Sequence, residues 1–227
     1  GKLPQTNFAI KHMSTIFKAV ESFFSIKYPY KKLDMIAVPN YSNAAMEHVG
    51  LIYYKEDFIL LDDTPSISEQ KYSLKLIAHE IAHMWFGNLV TMRWWNDLWL
   101  NESFAEWLAR KVVISSFPTL SAELDLPQIR SLFDDNVDNQ LPIRRTVKSK
   151  ADADSMGGIA YNKGNTILNM VEQYVGEDEF RQAVIAYLLE FKNTNATLHN
   201  FVKHIERVSN KELSGFFSSF LEQPGFP

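Results

Sequence analysis

A chain of 227 residues with 46% hydrophobic and 22% charged content has the apolar mass of one large globular domain or two small ones, which excludes a disordered or low-complexity polypeptide. Its formal net charge of -4 gives no electrostatic reason to expect nucleic acid or an anionic membrane as a partner. With no cysteine, disulfides and thiolate ligands are excluded, and any metal must be held by histidine and carboxylate.

From the N-terminus, Phe8, Met13, Ile16, Phe17, Val20, Phe23 and Phe24 recur at helical spacing until Tyr28-Pro29-Tyr30, so an amphipathic helix is predicted over about 7 to 25. Leu33 to Val38, closed by Pro39-Asn40, reads as a strand. Val49 to Tyr54 and Phe58 to Leu61 read as two more, with Lys55-Glu56-Asp57 as the turn between them. Ser66-Ile67-Ser68-Glu69 has the form of a capping box and starts a long helix.

That helix carries His79-Glu80-Ile81-Ala82-His83 within an apolar run, Leu74 to Phe86, free of Pro and Gly. Residues four apart share a helix face, so His79 and His83 project the same way and two ring nitrogens can reach one ion. Glu80 is rotated roughly 100° from His79 and can reach a water on that ion without becoming a ligand. Burying two histidines and a glutamate among apolar side chains without partners would cost several kcal/mol, which favours a metal over a chance match. Zinc in hydrolytic sites takes three protein ligands and keeps a position for water. The third is assigned to Glu102: Gly87 ends the first helix, Asn88 to Leu98 returns the chain, and a second helical segment, Leu100 to Val113, carries Asn101-Glu102-Ser103. Asp97, and Glu106 one turn after Glu102, are candidates for orienting a ligand histidine. All five tryptophans fall between Trp85 and Trp107, and the simplest reading makes them the packing shell of the metal site.

Beyond Val113 the strand signals disappear. Leu120 to Leu132 reads as a helix, Phe133 to Met156 as a polar loop, and Ile159 to Val175, Glu179 to Phe191, Leu198 to Val208 and Lys211 to Leu221 as four helices; Thr197 and Glu177-Asp178-Glu179 suit helix N-termini. The expected fold is α+β: a small mixed sheet with helices over about 1 to 65, the zinc helices over about 66 to 116, and a helical half over about 117 to 227, with a cleft at the junction. No apolar run approaches the ~20 residues that span a bilayer, and no basic-then-apolar leader opens the chain. The abrupt start at Gly1-Lys2-Leu3-Pro4 reads as that of an excised piece, and the absence of cysteine favours a cytoplasmic location.

The pattern HExxH, eighteen residues, then Glu, written here HEIAHMWFGN and WWNDLWLNESFA, resembles the zinc aminopeptidases of the M1 family, gluzincins with a thermolysin-like catalytic domain. Ala44-Ala45-Met46-Glu47-His48 resembles that family's Gly-Ala-Met-Glu-Asn exopeptidase motif, Tyr161-Asn162-Lys163-Gly164 its Tyr-x-Lys-Gly element, and Gln223 to Pro227 its closing segment. The resemblance implies a thermolysin-like architecture, one zinc per chain, peptide substrates, and flanking N-terminal sheet and C-terminal helical domains that this chain does not contain. It further implies that Tyr161 stabilises the oxyanion, that Glu47 binds the substrate's free α-amine, and that Ala44, Ala45 and Met46 line the substrate. Ala44 stands for the family's Gly and His48 for its Asn, which bears on the first side-chain pocket.

The expected chemistry is hydrolysis of the N-terminal peptide bond by a zinc-activated water with Glu80 as general base. Two other classes stay open from sequence. The same site can serve an endopeptidase or an epoxide hydrolase, or the chain can be a non-catalytic zinc or peptide-binding module. Against the last, a structural zinc site is closed by four protein ligands.

Overall fold

In a computed structural model, residues 1–121 and 142–225 are described. The fold class is α+β, with helices α1 (Asn7–Phe24), α2 (Glu56–Ile59), α3 (Ile67–His83), α4 (Leu98–Ser116), α5 (Pro118–Ser121), α6 (Lys150–Asp154), α7 (Gly157–Val175), α8 (Glu177–Phe191), α9 (Leu198–Ser209) and α10 (Ser214–Leu221). The strands are β1 (Asp34–Val38), β2 (Ala45–Met46), β3 (Leu51–Lys55), β4 (Val90–Met92) and β5 (Thr194–Ala196). Two compact units emerge, Gly1–Asn88 with Leu108–Leu124, and Leu89–Trp107 with Asp125–Pro227.

In the first unit, α1 buries Ile16, Val20 and Phe24, the face its periodicity predicts, and ends where Ser25 turns left-handed at φ 50°. It packs on α3. Helix α3 starts at the expected capping box: the Ser66 hydroxyl accepts from the Glu69 amide at 3.2 Å, and the Glu69 carboxylate accepts from the Ser66 amide at 2.8 Å. Ile77 through His83 are buried without interruption, which is why the sequence there shows an apolar run rather than a stripe. The sheet has order β1-β3-β2, with β1 parallel and β2 antiparallel to β3. Trp85 stacks on Phe24 at 5.4 Å, and its indole N–H donates to the Ile26 carbonyl at 2.9 Å.

In the second unit, β4 and β5 pair in parallel, Val90 opposite Thr194. Helices α8 and α9 pack together through Phe180, Tyr187 and Phe201, with Trp107 against Phe180. Thr197 caps α9 through the Asn200 amide, as expected, whereas Glu177, Asp178 and Glu179 occupy the first turn of α8 behind a Gly176 cap.

Four expectations are corrected. Phe58 to Leu61 is not a strand: Glu56 to Ile59 form one helical turn, closed by the Leu60 amide on the Glu56 carbonyl at 2.9 Å. Lys55-Glu56-Asp57 lacks the Gly or Asn that a tight hairpin needs, while two acids suit a helix N-terminus. Helix α3 stops at His83, a turn before Gly87, because the Asn88 amide captures the His83 carbonyl at 2.9 Å and Gly87 takes φ +131° to let the chain reverse. A strand does occur beyond Val113, β5, too short at three residues to show alternation. Within the expected loop, Ser149 and Asp152 form a second capping box and start α6. Most of the helix expected over Leu120 to Leu132, and the loop before residue 142, lie outside the described residues, as do the last two residues of the closing segment.

A close helix contact in the second unit is at Gly164 of α7. A Cβ there would lie 1.7 Å from the Ser103 hydroxyl oxygen, 2.6 Å from the Ser103 Cβ and 3.1 Å from the Trp99 ring. Gly164→Ala is therefore expected to destabilise the protein by about 1–3 kcal/mol through overpacking. Gly215→Ala, whose Cβ would meet nothing within 4 Å, serves as the control. Urea unfolding of the pair checks this, and equal midpoints would show that α7 moves away freely.

Candidate metal centre

His79 and His83 lie one turn apart on α3 and are buried, with Glu80 buried beside them. Their Nε2 atoms stand 3.1 Å apart, with the rings at 79° to each other. Two nitrogens each about 2.0–2.1 Å from one tetrahedral zinc ion would be about 3.3 Å apart, so the pair already has the bite zinc requires. Glu102, in the second turn of α4, completes the set: one ligand atom from each of His79, His83 and Glu102 lies within 4.8 Å of the others. Two imidazoles and a carboxylate are the donors of an open hydrolytic zinc site, and these residues fit the ion.

The orientation of His83 has a visible cause. Its Nδ1 lies 3.1 Å from the Phe86 carbonyl, an acceptor only, so Nδ1 carries the proton and Nε2 keeps its lone pair for the metal. Asp97, the other candidate for such an orienting task, has partners within the second unit. That buried carboxylate accepts from Arg144 Nε at 2.6 Å and from the Leu198 amide at 3.1 Å, which ties the turn before α4 to the N-terminus of α9. Glu106 lies half-buried one turn beyond Glu102 on α4. The tryptophans divide: Trp85, Trp99 and Trp107 are buried packing residues, whereas Trp94 and Trp95 are exposed, contrary to a uniform packing shell. The Trp94 indole donates to the Val147 carbonyl at 3.0 Å.

Of the substrate-binding candidates, Ala45 and Met46 form the edge strand β2, paired with Tyr54 and Tyr53 of β3. Ala44 accepts from the Lys55 amide at 2.9 Å, so it extends that pairing by one bond. Glu47 follows directly, half-buried, and its carbonyl accepts from the Asn88 side-chain amide at 2.8 Å. His48 is exposed, its ring edge-on to Tyr53 at 5.0 Å.

Tyr161 sits in the second turn of α7 and is partly exposed. The surrounding motif has a structural logic. Ser103, next to Glu102, donates its hydroxyl to the Ala160 carbonyl just before Tyr161; buried Lys163 donates to the Gly225 carbonyl at 2.6 Å; and Gly164 gives Ser103 its room. Sequence reasoning missed two residues near this site. Asn88 was legible only as part of a return segment. Tyr54 was read as a strand residue; it is fully buried, its hydroxyl makes no hydrogen bond, and burial, then the charge of Glu80, pushes its pKa well above the usual phenol value, so it stays neutral.

Comparison with known proteins places this geometry in a family. The peptidase family M1 domain matches residues 8–220. The chain is similar to probable aminopeptidase 1 of Saccharolobus solfataricus, 38% identical across 100% of this chain and 30% of that protein. It is also similar to leucyl aminopeptidase of the same organism, 36% identical across 100% of this chain and 29% of that protein. Endoplasmic reticulum aminopeptidase 2 of Bos taurus is 39% identical across 86% of this chain and 21% of that protein. The chain thus spans less than a third of the length of these relatives. A family match over nearly its whole length, joined to this identity, makes the chain a member of peptidase family M1.

Proposed function

We propose that this chain is a thermolysin-like catalytic domain of a zinc aminopeptidase that removes N-terminal residues from peptides. The observation that carries the reading is the buried His79 and His83 pair with its Nε2 atoms 3.1 Å apart, Glu102 within reach and Glu80 alongside. Zinc held by His79, His83 and Glu102 would lower the pKa of a water toward neutrality and polarise the scissile carbonyl as a Lewis acid.

Glu80 takes the proton as the water oxygen adds to the carbonyl carbon, and hands it to the amine nitrogen as the C–N bond breaks. The Tyr161 hydroxyl donates to the oxyanion of the tetrahedral intermediate. The Glu47 carboxylate holds the substrate's α-ammonium, a charge-assisted contact that an N-blocked peptide cannot make. Ala44, Ala45 and Met46 lie along the first substrate residue. A glutamate beside a three-ligand site is superfluous in a purely structural zinc module, which favours catalysis over that alternative.

Metal analysis of purified protein should find one zinc per chain, and Glu102→Ala should lower occupancy sharply because two remaining ligands bind weakly. Full occupancy in that variant removes Glu102 from the metal. Glu80→Gln should retain zinc and fold while losing at least roughly 10²-fold in turnover of aminoacyl amides. Activity near the parent level would place the base elsewhere. Glu47→Ala should lower kcat/KM for free N-terminal substrates by roughly ten- to a hundredfold and leave cleavage of N-acetylated peptides unchanged. An equal loss on both would assign Glu47 a structural task.

A further inference from the structure

We propose that Asn88 is a positioning residue that sets the separation between Glu47 and the His79–His83 pair, and so helps to fix cleavage one residue from the peptide N-terminus. The inference rests on Glu47 as the amine anchor.

Asn88 is pinned on one side to the metal-bearing helix: its backbone amide donates to the His83 carbonyl at 2.9 Å. Its side-chain amide donates on the other side to the Glu47 carbonyl, 41 residues away in sequence, at 2.8 Å. The same nitrogen lies 3.8 Å from the Met84 sulfur, so its donors have acceptors on both sides and the Nδ2 end faces Glu47. Gly87 at φ +131° makes the reversal that brings Asn88 to this point.

Glu47 needs such a tie. The β2–β3 ladder gives out at Met46 opposite Tyr53, and the next backbone bond, from the Leu51 amide to the His48 carbonyl at 2.9 Å, only closes the turn beyond. The Glu47 carbonyl therefore stands where sheet pairing ends, and the Asn88 side chain donates to it from across the chain. In a peptide the α-amine and the first scissile carbonyl are separated by one residue of fixed covalent length. An anchor for the amine and a metal for the carbonyl are useful together only when held at that separation, and a misplacement of about 1 Å can cost roughly 10²-fold in rate.

The test pairs Asn88→Asp, which keeps the side-chain shape and removes both amide donors, with Asn88→Ala. Zinc content should match the parent protein in both. The ratio of kcat/KM on free aminoacyl amides to that on their N-acetylated forms should fall by roughly ten- to a hundredfold, with hydrogen exchange accelerated over residues 45–50. Glu47→Ala/Asn88→Ala should be no worse on free amides than Glu47→Ala alone, because both changes disable one contact.

Additive losses in the double variant, equal losses on free and blocked substrates, or loss of zinc in both single variants would each overturn the positioning role. If Glu47→Ala itself leaves the ratio unchanged, the amine anchor is wrong and this inference goes with it. If Glu47→Ala lowers the ratio and neither Asn88 variant does, this inference alone is wrong.

Discussion

Two imidazole nitrogens held 3.1 Å apart inside an apolar helix are the constraint on which the site depends. Two ring nitrogens fixed this close in a buried position present two donors to a single point, which is what a cation needs and what a solvated surface pair does not provide. The scaffold around α3 keeps that arrangement from relaxing. A capping box fixes where the helix begins, the side chains from Ile77 through His83 are buried without a gap, and Trp85 locks the end by stacking on Phe24 and bonding to Ile26. Rigidity here is the means by which α3 offers its two histidines preorganised rather than gathered at an entropic cost.

The short motifs read as chemistry also carry structural work. In Tyr161-Asn162-Lys163-Gly164, Tyr161 is the residue for which a chemical task is proposed, yet Lys163 is buried and holds the Gly225 carbonyl, and Gly164 is small because Ser103 stands against it. Ser103 in turn follows Glu102 and bonds to the carbonyl preceding Tyr161. The proposed metal ligand and the proposed oxyanion donor thus sit on helices that the Ser103–Ala160 hydrogen bond and the packing of Ser103 and Trp99 against Gly164 hold together.

What the sequence disclosed follows from where the physics is local. Helix α1, the capping boxes at Ser66 and Thr197, and the face shared by His79 and His83 depend on spacing within a turn or two, and the structure has them where the spacing puts them. The single turn at Glu56–Ile59 was misread because a short apolar run has no period of its own and only the two acids at its start distinguished helix from strand. β4 and β5 were invisible because three residues cannot alternate and their pairing joins segments a hundred residues apart. Asp97 was singled out by its position in the chain alone; its bonds to Arg144 and to the Leu198 amide are tertiary facts with no local signature.

The least legible segment, Met84 to Asn88, is where the chain leaves α3 and reaches the end of β2. Nothing in its composition beyond Gly87 marks it, yet the Phe86 carbonyl selects the His83 tautomer, and the Asn88 side chain reaches the carbonyl of Glu47. Had α3 continued to Gly87, the Phe86 carbonyl would point along the helix axis and the His83 ring would lose the acceptor that orients it. Ending α3 at His83 turns those groups toward the histidine and toward β2. The helix stop, which looks like a boundary detail, is therefore what lets one five-residue turn set both the proton on the His83 imidazole and a hold on the backbone of Glu47, the residue proposed to read the substrate's amine.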